Sequence, residues 1–416
     1  MRLCVILAEI SIIVLNLPLF IANKTSKPNQ GTFSSTIYKV AVISISLGLA
    51  VMILSFLIML GFQNTIKKKV YDFTGHLQVS QYMAGNSYAE RPSSLWLDSL
   101  ENKEGISHIQ AYAYKYGLLQ NDEGVEGIVY KGVGVDFDST EFNDYILEGR
   151  FLHLDTTSIS LEVVISKREA ERMNLKVGGS IIMHFIQEPP RTRRLQVVGI
   201  YETGMEDFDD KLMLGDIALV RRLNNWTNDQ AGGYEVFVSN TDKIEEVYRS
   251  LYDQVGYDLY VQKSSLKYIQ IFEWLSLINN NVNILIFMVL LVASFNMISI
   301  ILILILERTP MIGTLKALGA SDHFIRQIFI YNGIKLVVRG LLIGDLIGIG
   351  LAAIQAKFQV FPLDPNNYYM SYVPIEFNWL VIIGLNLLIF IIVSLVLFIP
   401  TLFISRIEPI KAIRFD

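Results

Sequence analysis

Three stretches of this chain, 40–62, 282–306 and 379–404, contain no Asp, Glu, Lys or Arg. Each is longer than the roughly 20 residues an α-helix needs to cross a ~30 Å hydrocarbon layer. A fourth stretch, 333–356, is apolar apart from Lys335, Arg339 and Asp345. Inside a bilayer the backbone must satisfy its own hydrogen bonds, so such runs are read as helices. The chain is therefore expected to be a membrane protein with a four-helix transmembrane domain. Charged residues make up only 18% of the sequence, against about 25% in a soluble domain, and the deficit is concentrated in these runs.

The segment 63–270, between the first and second spans, is far more polar and long enough for a sizeable folded domain. Alternating runs at 76–81, 161–165, 180–186, 194–201 and 234–238 read as strands. Ser166-Lys167-Arg168-Glu169 has the form of a capping box before a short helix. Gly178-Gly179 turns the chain into the next strand, and Pro189-Pro190 marks a hairpin tip. The fold class is thus four membrane helices with a large α+β extracytoplasmic domain inserted between TM1 and TM2. The expected division is a cytoplasmic N-terminal segment 1–37, TM1 38–62, the external domain 63–270, and TM2 with an external helical extension 271–306. A cytoplasmic helix and loop 307–332, TM3 333–356, an external loop 357–377, TM4 378–404 and a cytoplasmic tail 405–416 complete it. Residues 1–15 are read as an extension or a misplaced start rather than a fifth span, because Glu9 interrupts a run already short for crossing.

Charges in the short loops orient the spans. Arg308, Lys316 and Arg326 follow TM2, Arg406, Lys411 and Arg414 follow TM4, and Lys24, Lys27 and Lys39 precede TM1. The positive-inside rule places all three groups in the cytoplasm and the large domain outside. Lys67-Lys68-Lys69, just after TM1, runs against the rule.

Several chemistries are excluded. No Gly-x-x-x-x-Gly-Lys-Ser/Thr string is present, so the chain offers no P-loop for ATP and is not expected to be an ATPase. The five histidines are scattered, no Gly-x-Ser-x-Gly elbow occurs, and no metal site or cofactor is expected. Glu206-Asp207-Phe208-Asp209-Asp210 reads as a solvated acidic loop, since it lacks the glycine and final glutamate of a calcium loop. No basic stripe suits nucleic acid. Cys4 is the only cysteine, so no intrachain disulfide forms.

The most structured cytoplasmic element runs from Glu307 and Arg308 to Gly319, Ala320 and Ser321. Met311, Ile312, Leu315 and Leu318 share one helical face, with Arg308 and Lys316 off it. Gly319 is placed to end the helix with positive φ, and Ser321 to cap the next one. An amphipathic helix between two spans carries no catalytic group and suits a mechanical contact. In TM3, Gly340, Gly344 and Gly348 repeat every four residues, the small-residue pattern that lets membrane helices approach closely. Asp345 beside them is expected to face the bundle interior in a packing or hydrogen-bonding role. Ile269, Phe272, Leu275 and Leu277 extend the TM2 helix outward, with Trp274 as an interfacial anchor or a packed residue.

These residues resemble the type VII ABC transporter permeases, a class that includes LolC/LolE, MacB and FtsX. Glu307-Arg308, Ile312-Gly313 and Leu315-Lys316-Ala317-Leu318-Gly319-Ala320-Ser321 follow the class pattern, as does the ending Glu408-Pro409-Ile410-Lys411-Ala412-Ile413-Arg414. Asn16-Leu17-Pro18-Leu19-Phe20-Ile21-Ala22, Phe361-Pro362-Leu363-Asp364, Tyr368-Tyr369-Met370 and Val373-Pro374-Ile375 are similar to the Lol branch. The resemblance implies a permease subunit that releases lipoproteins from the bacterial inner membrane, with a MacB-like domain in the periplasm. It implies a LolD-like ATPase that uses ATP and Mg, a second permease subunit (the same chain or a paralogue), lipoprotein cargo, membrane lipid and a LolA-like carrier. Glu307, Arg308, Met311, Ile312, Gly313, Leu315, Lys316, Ala317 and Gly319 would form the ATPase-coupling helix. Met52, Phe56, Met59, Phe62 and Ile278 would line a lipid cavity. The hairpin 187–192 is shorter than the LolC hook that recruits the carrier, so that role is not carried over to Pro189-Pro190. The alternatives are a MacB- or FtsX-like permease for peptide or drug export or mechanical signalling, and a membrane-anchored ligand-binding sensor.

Overall fold

The computed structural model describes residues 17–25, 33–81, 92–94, 104–121, 124–255 and 258–406. The N-terminal stretch 1–15 and the ending at 408–414 lie outside them. Helices of more than one turn, numbered along the chain, are α1 Leu17–Thr25, α2 Phe33–Thr74, α3 Lys167–Arg172, α4 Ile217–Asn224, α5 Ile244–Tyr252, α6 Ile269–Glu307, α7 Thr309–Ala317, α8 Asp322–Phe358 and α9 Trp379–Val396. The strands are β1 Leu77–Gln81, β2 Ile106–Asn121, β3 Gly124–Val133, β4 Ile146–Gly149, β5 Glu162–Ser166, β6 Ser180–Phe185, β7 Arg191–Tyr201, β8 Leu212–Asp216, β9 Gly233–Val238 and β10 Leu259–Lys263.

The chain divides into two units. The first takes Met1–Phe62, Ser276–Val360 and Pro374–Asp416, the second Gln63–Leu275 and Phe361–Val373. Among the described residues four helices, α2, α6, α8 and the one that starts at Trp379, are long and apolar enough to cross a membrane. Helix α2 runs 42 residues and α6 39, so each continues well past a bilayer's thickness. The outward continuation of α6 begins at Ile269, where the periodicity of Ile269, Phe272 and Leu275 places it.

The core of the first unit joins Ala41, Ile45, Leu49, Ile53 and Leu57 of α2 to Met297 and Ile301 of α6, Phe329 and Val337 of α8, and Ile389 and Val393 of α9. The opposite faces carry Ile43, Phe287, Leu346 and Leu380, all exposed in the isolated chain. Apolar surface of that extent is stable only against lipid or another membrane helix.

Among the described residues, the second unit is built on ten strands. Strand β6 pairs antiparallel with both β2 and β7, which closes β2-β3-β8-β5-β7-β6 into a ring. Strands β9, β1 and β10 extend the sheet from β2, and β4 lies beyond β7. Strand β5 reads Glu-Val-Val-Ile-Ser and is paired on both edges, so its run is continuously apolar rather than alternating. Strand β7 alternates near the hairpin and becomes wholly buried from Val197 onward. Gly117 sits where β2 and β6 approach, and a Cβ there would lie 2.9 Å from the His184 carbonyl oxygen.

Two local expectations are corrected. The capping box is only half made. The Ser166 hydroxyl accepts the Glu169 N–H at 3.1 Å, but the Glu169 carboxyl turns inward, and its Oε1 has no hydrogen-bond partner among the described residues. Ser166 belongs to the β5–β7 ladder, paired with Tyr201. The acidic loop is not simply solvated. Asp209 is buried and accepts from the Thr203 and Gly204 N–H groups and the Thr203 hydroxyl, while Asp210 pairs with Arg168 and Arg172. Two of the three lysines that oppose the positive-inside rule have local partners. Lys68 pairs with Asp72 and Glu141, and Lys69 donates to the carbonyls of Thr203 and Tyr369. Trp274 packs edge-on against Tyr369, with centroids 5.9 Å apart.

Burial, followed by the nearby Glu126 charge, pushes the Glu169 carboxyl up from 4.5 to about 7. Between those values the folded protein holds a proton that the unfolded chain has released. Stability from this group is therefore full below pH 4.5 and falls as pH rises to about 7. Glu169→Gln should melt several degrees above the parent at pH 8 and level with it at pH 4.5. A pH-independent difference would show that this carboxyl titrates in the ordinary range.

Candidate functional site

Helix α6 ends at Glu307 because Pro310 cannot donate an N–H and its ring would clash with the carbonyl four residues earlier. The Thr309 hydroxyl donates to the Leu306 carbonyl at 2.7 Å, occupying one of the acceptors the helix end leaves free. Helix α7 then runs from Thr309 to Ala317 and closes in a Schellman turn. The Ala320 N–H reaches the Leu315 carbonyl at 2.9 Å and the Gly319 N–H the Lys316 carbonyl at 3.0 Å. Gly319 has φ +89°, a region costly for residues with a Cβ. The Ser321 hydroxyl accepts from the Phe324 N–H at 3.3 Å and starts α8. Gly319 and Ser321 thus stop and restart the chain as their sequence positions require.

The two faces of α7 differ from the amphipathic reading. Ile312 and Gly313 are buried, and Met311 and Leu315 pack against the core. Leu318 instead points outward and is 80% exposed. With Pro310, Thr314 and Ala317 it forms an exposed stripe of small and apolar residues. The helix ends at Ala317, so Leu318 leaves the helical period that would have turned it inward. Lys316 is not a free surface cation. Its ammonium donates to the Ile404 carbonyl at 2.8 Å and pairs with Asp322 at 2.9 Å. One side chain therefore ties α7 to the start of α8 and to the segment that follows α9. Sequence spacing gave no signal for the Ile404 acceptor. Glu307 is exposed and Arg308 half-buried.

The glycines of α8 form a seam against α2. An added Cβ at Gly340 would lie 2.7 Å from Ile45 Cγ2, at Gly344 2.9 Å from the Ser46 carbonyl oxygen, and at Gly348 3.1 Å from Ala50 Cα. The Ser46 hydroxyl donates to the Gly340 carbonyl at 3.0 Å across the seam. Asp345, next to it, accepts from the Asn386 amide of α9 at 2.8 Å. That contact satisfies a carboxylate that lipid would not tolerate alone.

The residues expected to line a lipid cavity are not among those that line the apolar groove described below. Met52, Met59 and Phe62 are buried, Met52 within the helix core, and Phe56 and Ile278 are half-buried. Helical side chains on the packed face of α2 are filled by neighbours rather than open. An apolar groove of about 300 Å³ lies elsewhere, lined by Phe287, Leu290, Phe295 and Ile298 of α6 and Ile392 of α9. Among the described residues no cluster of His, Cys, Asp and Glu is arranged to hold a metal ion. The arrangement offers packing faces and tethers.

Residues 40–251 match the MacB-like periplasmic core domain, and 283–409 match the FtsX-like permease C-terminal domain. The chain is 23% identical over 409 residues to the lipoprotein-releasing system transmembrane protein LolC of Neisseria meningitidis serogroup B, covering 92% of this chain and 95% of that one. It is 23% identical over 388 residues to the lipoprotein-releasing system transmembrane protein LolE of Haemophilus influenzae, covering 88% and 91%. The periplasmic region of MacB from Actinobacillus actinomycetemcomitans aligns with a TM-score of 0.34 at 13% identity, over 47% of this chain and 91% of that structure. The chain belongs to the MacB-like periplasmic core domain family and, with its FtsX-like permease C-terminal part, is a multi-pass ABC transporter permease that resembles LolC and LolE.

Proposed function

We propose that this chain is the non-catalytic transmembrane subunit of a complex that releases lipoproteins from the bacterial inner membrane toward a LolA-like periplasmic carrier. ATP and Mg are used by a separate LolD-like subunit, and a second permease, the same chain or a paralogue, completes the pair. The observation that carries the reading is helix α7, with an outward stripe of Pro310, Thr314, Ala317 and Leu318 and inward tethers at Ile312 and Lys316. The stripe suits a cleft on the ATPase. Force applied to it passes through Lys316 to the start of α8 and the segment after α9, and through Ile312 into the helix core. Likeness to LolC and LolE along nearly the whole chain supports lipoprotein as the cargo.

The test is purification of the tagged chain from membranes in mild detergent, with mass spectrometry of bound proteins and lipids. Co-purification of an ATPase with triacylated lipoproteins is expected, and the same preparation identifies the second permease. An ATPase without lipoprotein would move the cargo to peptides or drugs. No ATPase at all would leave the ligand-binding sensor.

A further inference from the structure

Helix α8 carries two neighbouring cations, Lys335 and Arg339, that have no acidic partner among the described residues. Lys335 and Arg339 lie four residues apart on α8, so their side chains share a face. Each is held by a neutral group. The Lys335 ammonium donates to the Asn23 side-chain oxygen of α1. The Arg339 guanidinium donates to the Tyr38 hydroxyl of α2 and lies over its ring, 5.6 Å from the centroid. Lys24 follows Asn23 in the chain, and Lys39 follows Tyr38; both are exposed. Helix α1 contains no acid, and the first acid of α2 is Asp72. On α8, Asp322 is paired with Lys316, and Asp345 holds Asn386. The stretch after Trp379 has no acid up to Arg406.

The position matters as much as the charge. Residues 340–356 of α8 contain one charged side chain, Asp345, so Arg339 stands where the apolar part of the helix begins. The loop charges put this end of the span at the cytoplasmic surface. Like charges held a turn apart by an amide and a phenol repel each other, and folding alone gains little from holding them so. An anion between them removes that cost. A phosphodiester supplies the charge and several acceptors, and its acyl chains continue along the apolar surface of α8 at Val338, Leu342 and Leu346, all exposed.

We propose that Lys335 and Arg339, with Lys24 and Lys39 at the rim, form a binding site for the headgroup of an anionic phospholipid in the cytoplasmic leaflet. Asn23 and Tyr38 aim the two inner cations at the phosphate. The site shares no residue with the outward stripe of α7 and does not depend on the identity of the cargo.

The test is native mass spectrometry of the full chain in detergent, titrated with phosphatidylglycerol or phosphatidylcholine. The parent should retain phosphatidylglycerol in preference to phosphatidylcholine. Lys335→Gln/Arg339→Gln should weaken that binding roughly thirtyfold, from two cations near a membrane surface. Lys335→Arg/Arg339→Lys, which keeps both charges, should restore most of it. Lys357→Gln, near the other end of α8, should leave it unchanged. Equal retention by the double glutamine variant, or equal uptake of phosphatidylcholine, would overturn the proposal. Displacement of the lipid by millimolar inorganic phosphate would also overturn it, by showing that the site takes a free anion. Size-exclusion profiles that match the parent establish that each variant is folded.

Discussion

Ala317→Glu is expected to leave the protein inserted and folded but to uncouple ATP hydrolysis from cargo release. Ala317 lies on the exposed stripe of α7, so a larger acidic side chain there disturbs no internal packing. It places a charge and extra volume in the middle of the surface proposed to enter the ATPase. At a small, desolvated contact such a change acts as a hot-spot loss, about 2 kcal/mol, or roughly thirtyfold in affinity. Gly313→Glu is a different experiment, although both positions lie on the same short helix. Gly313 is buried, so a carboxylate there must be forced into the core. Loss of activity at Gly313 would report misfolding, whereas loss at Ala317 reports docking. Co-purification of the ATPase and release by the same preparation separate the two. Normal release by Ala317→Glu would remove α7 from the coupling path.

Gly344→Leu should cost the helix bundle about 3 kcal/mol or more, near the upper end for overpacking. The nearest atoms to the new side chain are the Ser46 carbonyl oxygen and Leu49 Cβ, each 2.9 Å from where its first carbon would lie. A backbone carbonyl cannot swing aside as a side-chain terminus can, so α2 and α8 must separate. Separation also lengthens the Ser46–Gly340 hydrogen bond. Gly350 is the control. It lies on the same helix with nothing within 4 Å of an added Cβ, and Gly350→Ala should gain slightly from higher helix propensity. Denaturation in mild detergent, followed by intrinsic fluorescence, measures both. Equal stability of the Gly344 and Gly350 variants would mean that the glycine seam is not a close contact.

The parts of this molecule governed by local chemistry were legible in the sequence. Charge-poor apolar length marks the four spans, and periodicity carries α6 outward to Ile269. Gly319 and Ser321 act through their own backbone and first turn, so their roles follow from residue type. Strand positions near β1, β5, β6, β7 and β9 were visible as alternation or apolar runs. Strand β2 was not, because it pairs with β3, β6 and β9 along its length and no single face is buried throughout. Its 16 residues mix tyrosines, lysine and glutamine, each answering to a different neighbour.

The site shows the same division. The face of α7 was readable up to Leu315 and misjudged at Leu318, where the helix ends and the period lapses. Long-range partners left no trace in local pattern. Lys316 finds a carbonyl at Ile404, and Lys69 finds one at Tyr369, 300 residues away. Lys131 is buried with Glu235 at 2.7 Å, Gln110 completing the carboxylate's contacts, in a strand whose sequence gives no sign of an interior ion pair. Breaking such a pair from one side is costly because the other charge stays buried, which fixes β3 against β9 without any surface signal.

The most direct measurement of the central claim is release in a reconstituted system. The purified complex is placed in liposomes with a triacylated lipoprotein, and transfer to a soluble periplasmic carrier is followed with and without ATP. Transfer that requires ATP, and that stops with Ala317→Glu while the lipoprotein stays in the membrane, is the predicted result. ATP hydrolysis at full rate with no lipoprotein leaving the membrane for the carrier would contradict it.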